Sequence, residues 1–196
     1  MSQPRPSSTD VELSRGEFSP EERAQLLQLA HESVLAALED RSIPVDPPSA
    51  HFAEPRGAFT SLYLHGQLRG CVGYLLPVAP VFQAVADTAR AAALEDSRFR
   101  PVTVEEAPHL AIELSILSPP KPIAPDAVEI GRHGLLISMA GRRGLLLPQV
   151  AIEHGWDRIT FLEQTCRKAG LPKDAWQKGA LIEAFTAEVF GEKEAL

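Results

Sequence analysis

The chain has 196 residues, 44% of them hydrophobic, which suits one domain with a sizeable buried core. A formal charge of -7 and a pI near 5.4 argue against nucleic acid as a partner, because phosphate backbones are held by clustered Lys and Arg. No apolar run approaches the roughly 18 to 20 residues that cross a bilayer, and Met1 to Asp10 is polar with no apolar signal core. No membrane association and a cytosolic location are expected.

Only two cysteines occur, Cys71 and Cys166, far apart and in segments of different type, which excludes a disulfide framework and a zinc site built from CxxC pairs. The GxGxxG dinucleotide loop, the Walker phosphate loop, the HExxH pair and the GxSxG elbow are absent, so no metal and no cofactor is expected.

Residues 1–18 are rich in Ser, Pro and charge, the composition of a flexible tail, and a folded domain is expected over 19–192. Ser19-Pro20-Glu21-Glu22 is a helix start: Ser19 can cap, Pro20 suits the first helical position, and Glu22 completes a capping box. Leu26, Leu27, Ala30, Val34, Ala37 and Leu38 recur at helical spacing to about Asp40, after which Pro44, Pro47 and Pro48 mark a loop. Ala58 to Leu64 and Gln67 to Tyr74 read as a β-hairpin turning at His65-Gly66, where Gly66 supplies a positive φ. Val81, Phe82, Val85, Ala86, Ala89 and Ala93 define an amphipathic helix ending near Glu95-Asp96, and its alanines predict close packing on a sheet.

Leu110 to Ser118 puts Leu110, Ile112, Leu114 and Ile116 on one face and Glu113 and Ser115 on the other, a half-buried strand stopped by Pro119-Pro120. Leu135 to Met139 and Gly144 to Leu147 form a further hairpin around Ala140-Gly141-Arg142-Arg143. Two short helices follow, about Pro148 to His154 and Arg158 to Ala169, and Leu181 to Phe190 closes the chain as a last strand. Because strands arrive in hairpins and not in regular βαβ units, the predicted fold class is α+β, a mainly antiparallel or mixed sheet with helices packed on it.

Leu68-Arg69-Gly70-Cys71-Val72-Gly73 resembles the signature hexapeptide of AMMECR-type domains, the A proteins of the AmmeMemoRadiSam system. Glu95 to Phe99 resembles the family's aspartate-x-arginine-phenylalanine segment, and Glu113 to Pro119 its strand with an embedded glutamate. Gly131 to Leu135, Arg143 to Val150, Gly155 to Asp157 and Cys166 to Leu171 follow in the family's order, so the resemblance spans nearly all of the chain outside the tail. It implies an α+β fold of two unequal subdomains in one compact domain, the company of a Memo-type protein and a radical S-adenosylmethionine protein, and no settled reaction. Tyr74 departs from the small hydroxyl residue that many relatives carry there, and Ser97 from a frequent proline; Tyr74 would narrow a pocket beside Cys71.

On a regular strand Arg69, Cys71 and Gly73 share one face, and Leu68, Gly70, Val72 and Tyr74 the other. A guanidinium beside a cysteine favours the nucleophilic thiolate, and Gly70 and Gly73 leave the backbone open to a ligand or to a packing helix. Cys71 is therefore a candidate nucleophile, with a packed core thiol as the competing reading. Glu113 is the candidate partner of Arg69 and, with His133, a candidate proton handler, although an ion pair and a turn would explain the same two residues. Arg69 and Arg143 are candidate ligands for a small anion, with solvent as the alternative fate of Arg143. A metal module built from Cys71, His133 and a carboxylate has no ligand spacing in its support. Two functions fit: an enzyme or enzyme component acting on a small anionic or electrophilic molecule, and a non-catalytic adaptor for a partner protein.

Overall fold

A computed structural model describes residues 16–192. Helix α1 (Pro20–Leu38) begins with the expected capping box: Ser19 Oγ accepts from Glu22 N at 3.2 Å, and the Glu22 carboxylate accepts from Ser19 N at 2.8 Å. Strands β1 (Gly57–Leu64) and β2 (Gln67–Tyr74) turn at His65 and Gly66, both at positive φ (49° and 77°), the combination that matches strand twist in a tight hairpin. Helix α2 (Val81–Leu94) and strand β3 (Leu110–Leu117) follow, and then a two-residue strand β4 (Lys121–Pro122) that the sequence pattern is too short to show. The chain continues as β5 (Gly134–Met139), β6 (Arg142–Leu146), α3 (Pro148–Glu153), α4 (Arg158–Lys168), β7 (Leu181–Phe185) and β8 (Ala187–Gly191).

The strands form two four-stranded antiparallel sheets, in the order β2-β1-β3-β8 and β4-β7-β5-β6. Each sheet has its own apolar core, so the fold is α+β with two unequal subdomains. The larger core joins Leu26, Ala30 and Val34 of α1 and Ala84, Val85, Ala89 and Ala92 of α2 to Leu62, Ile112, Leu114 and Ile116 of the first sheet. Within this layer Thr60 and Thr88 meet at 2.8 Å between their hydroxyls, which satisfies two buried polar groups. The smaller core packs Phe161, Leu162 and Cys166 of α4 on Leu135, Ile137 and Ile182.

Three expectations change. The single last strand is two strands in different sheets, and the chain crosses between them at Thr186, whose N–H donates to Ser118 Oγ and whose carbonyl accepts from Ser118 N, both at 2.9 Å. Arg142 and Arg143 belong to β6, and only Ala140 and Gly141 make the turn. Phe18 is buried and stacks on His51 with ring centroids 4.5 Å apart, so the packed structure reaches back to Phe18; residues 1–15 of the expected tail lie outside the described residues.

Candidate functional site

The signature strand is not regular. Leu62 pairs with Gly70 and Tyr63 with Leu68, which leaves Arg69 as an extra residue without a partner in β1. Such a bulge re-aims its side chain and shifts the alternation by one. Leu68 therefore joins Cys71 and Gly73 on the face away from the helices, while Gly70, Val72 and Tyr74 face α2. A Cβ on Gly70 would lie 2.1 Å from the Ala92 carbonyl oxygen, and one on Gly73 2.2 Å from the Phe59 ring. Both glycines are explained by close packing, of a helix in the first case and of a cross-strand aromatic ring in the second.

The bulge also takes Arg69 away from Cys71. Its guanidinium is bound to the Glu106 carboxylate at 2.8 and 3.3 Å and to the carbonyls of Arg100 and Pro101 at 2.6 and 3.0 Å. Glu106, not Glu113, is thus its ion-pair partner, and the Arg69 guanidinium holds the Glu106 carboxyl below its ordinary range. Arg69 ties the segment after α2 to the strand, with most of its donors engaged by the protein.

Cys71 is gripped through its backbone instead. Because β2 is an edge strand, the Cys71 N–H and carbonyl point outward, where Asp96 accepts from the N–H at 2.8 Å and Arg98 donates to the carbonyl at 3.2 Å. Asp96 and Arg98 are themselves joined by Nε and Nη2 bonds of 2.9 and 2.7 Å. The Arg98 guanidinium, helped by the Cys71 amide, holds the Asp96 carboxyl well below the usual carboxylate range against the opposing effect of burial. The Cys71 thiol accepts from Ser61 Oγ at 3.3 Å and is partly exposed.

Register places Ser61 directly between Cys71 and Glu113, so the three residues form one cross-strand row on the open face of the first sheet. At about 4.8 Å per strand, Cys71 and Glu113 stand roughly 10 Å apart in backbone position. A ligand could touch both, but the two side chains are not a pair. Phe59, Tyr63, Ser115 and Val189 complete this face.

His133 lies elsewhere. Its Nδ1 accepts from Glu129 N at 3.0 Å, holding it in the turn before β5, and it lines a cavity of about 640 Å³ with Arg56, Glu17, Glu54 and Lys121. That cavity is not lined by Arg69, Cys71 or Glu113. Arg56 is almost fully buried there and bonds both Glu17 and Glu54. Among the described residues the group that could offer three metal ligands is Glu17, His51 and Glu54, whose two carboxylates already serve Arg56. Arg143 is exposed on β6, in the second subdomain.

The AMMECR1 family pattern matches residues 27–190. The chain belongs to this family. It is 41% identical to a protein of Methanopyrus kandleri, over 93% of this chain and 90% of that one, and 40% identical to a protein of Aquifex aeolicus, over 87% and 92%. Among solved structures, an uncharacterized protein from Pyrococcus horikoshii superposes with a TM-score of 0.66 at 36% identity, covering 87% of this chain and 91% of that one. In this AMMECR1 member, sequence reasoning did not give Ser61, Asp96 and Arg98 a part in the site. Asp96 and Arg98 sit in a segment the family resemblance had singled out, yet nothing local shows that their side chains reach back 25 and 27 residues to Cys71. No described helix is long and apolar enough to cross a membrane.

Proposed function

We propose that the open sheet face around Leu68–Gly73 is a ligand-binding surface carrying a reactive thiol, which holds or modifies a small electrophilic or anionic molecule together with the Memo-type and radical S-adenosylmethionine proteins that the family resemblance implies. The observation that carries this reading is the placement of Cys71: a partly exposed thiol oriented by Ser61, on a strand whose backbone is held at that residue by Asp96 and Arg98. Rigid placement on a strand is what a reacting or ligand-contacting group needs. Glu113, two strands away in the same row, is the proton handler of this reading, and a ligand spanning the row would contact both ends.

Thiol labelling at neutral pH tests it. Iodoacetamide should modify Cys71 at least about a hundredfold faster than Cys166, which is fully buried, whose ordinary pKa is raised by that burial, and which reacts only through opening of the fold. Slow labelling of both thiols at similar rates would reject the reading.

A non-catalytic adaptor is favoured by one further observation, the exposed apolar side chains of Leu68 and Val189 on the same face. On that reading, capture of a radical S-adenosylmethionine partner survives Cys71→Ser and falls at least about tenfold with Val189→Asp. Loss of capture with Cys71→Ser alone would return the role to the thiol.

A further inference from the structure

The hairpin of the second sheet has a face that neither core uses. Leu136 pairs with Leu145 and Ser138 with Arg143, so Leu136, Arg143 and Leu145 lie on the side opposite Leu135, Ile137 and Leu146, which pack toward α4. A cavity of about 210 Å³ opens on this face, walled by Leu136, Leu145 and the two residues that follow β2, Leu75 and Leu76. That is room for roughly seven water molecules, a small organic molecule but not a nucleotide.

Two cations line the same cavity, Arg143 and Lys168, and no carboxylate does. Gly144 lets the two segments approach: a Cβ there would lie 2.2 Å from Ala169 N, so β6 runs against the end of α4 and the backbone at Arg143 passes close to the helix's last residue. The α4 dipole accounts for a lysine in that last turn. It does not account for Arg143, and neither cation has a hydrogen-bond or ion-pair partner among the described residues. Both side chains are exposed at the rim above four leucines, so an anion seated there could take hydrogen bonds from each while an attached apolar group covers the leucines.

We propose that this cavity binds a small carboxylate bearing a short apolar group, with the carboxylate between Arg143 and Lys168 and the apolar part against Leu75, Leu76, Leu136 and Leu145. Both halves of such a ligand are needed, because the walls reject a bare hydrated anion and the rim offers an uncharged molecule nothing beyond apolar area. The inference goes beyond the Cys71 reading and stands without it.

The test is a titration of the ¹⁵N-labelled protein followed by amide chemical shifts, with hexanoate as probe and acetate, hexanol and inorganic phosphate as comparators. Hexanoate should shift the Leu76, Gly144 and Leu145 amides saturably, with a Kd on the order of 1 mM. Each comparator should bind about tenfold more weakly or not at all, and Arg143→Gln should weaken hexanoate about tenfold while leaving the rest of the spectrum in place. No saturable shift at these amides, equal binding of phosphate or hexanol, or hexanoate binding undiminished by Arg143→Gln would overturn the proposal. Labelling of Cys71 and this titration report on separate residues, so failure of one reading leaves the other's result intact.

Discussion

Replacing Gly70 with alanine should lower the unfolding free energy by about 3 kcal/mol, read as a fall in the urea midpoint. The new methyl group would stand 2.1 Å from the carbonyl oxygen of Ala92, and that oxygen is helix backbone, which cannot rotate away. Relief requires lifting α2 from the β1–β2 hairpin, which would open the contact made by Ala84, Ala89 and Ala92. Gly141→Ala is the control: its φ is 78° and nothing lies within 4 Å, so it loses only the backbone preference, about 1 kcal/mol. If the two substitutions cost the same, α2 does not approach the signature strand this closely.

Asp96→Ala should cost about 2 kcal/mol at neutral pH, since it strips a charge-assisted bond from the Cys71 amide and leaves Arg98 without its partner. The same carboxylate gives stability an acid-side dependence whose sign is fixed. Its folded pKa lies below its unfolded value of about 3.9, so its contribution is fully present above that value and is lost as pH falls below it toward the folded pKa. Asp96→Asn should therefore remove part of the loss of stability that the native chain shows below about pH 4. Urea titrations of both proteins at neutral and acid pH measure this directly. Parallel curves would show that Asp96 does not hold the signature strand through its charge.

Asp96 and Arg98 act together with Arg69 and Glu106 as two fastenings of one segment. The stretch after α2 is tied to β2 once at Cys71 and once at the bulge, and so covers outward-pointing backbone groups of an edge strand that would otherwise be open to pairing. Arg69, for which the sequence suggested Glu113 as a partner, has Glu106 instead, and it serves to shape the strand that presents Cys71.

Much of this was legible because it rests on local signals. The capping box at Ser19, the His65-Gly66 turn, the helical spacing of alanines in α2 and the alternation of Leu110 to Ile116 each involve residues within a few positions of one another, and the structure bears all four out. Membership of the family was equally readable, since motifs in order and register survive without any knowledge of contacts.

What only the tertiary structure decided depends on register and on distant partners. A period-two pattern looks the same on either side of a bulge, so nothing in Leu68 to Gly73 shows that Arg69 is the unpaired residue and that Leu68, not Arg69, shares a face with Cys71. The stretch from Leu181 to Phe190, a mix of apolar side chains with Glu183, Thr186 and Glu188, carries no proline or glycine to mark that the chain changes sheets at Thr186, because both halves need the same kind of strand residues. The neighbours of Cys71 come from β1 and from the segment after α2, and those of Arg143 from the end of α4; the order of residues in the hexapeptide identifies the strand, while packing of separate segments selects what stands beside its thiol.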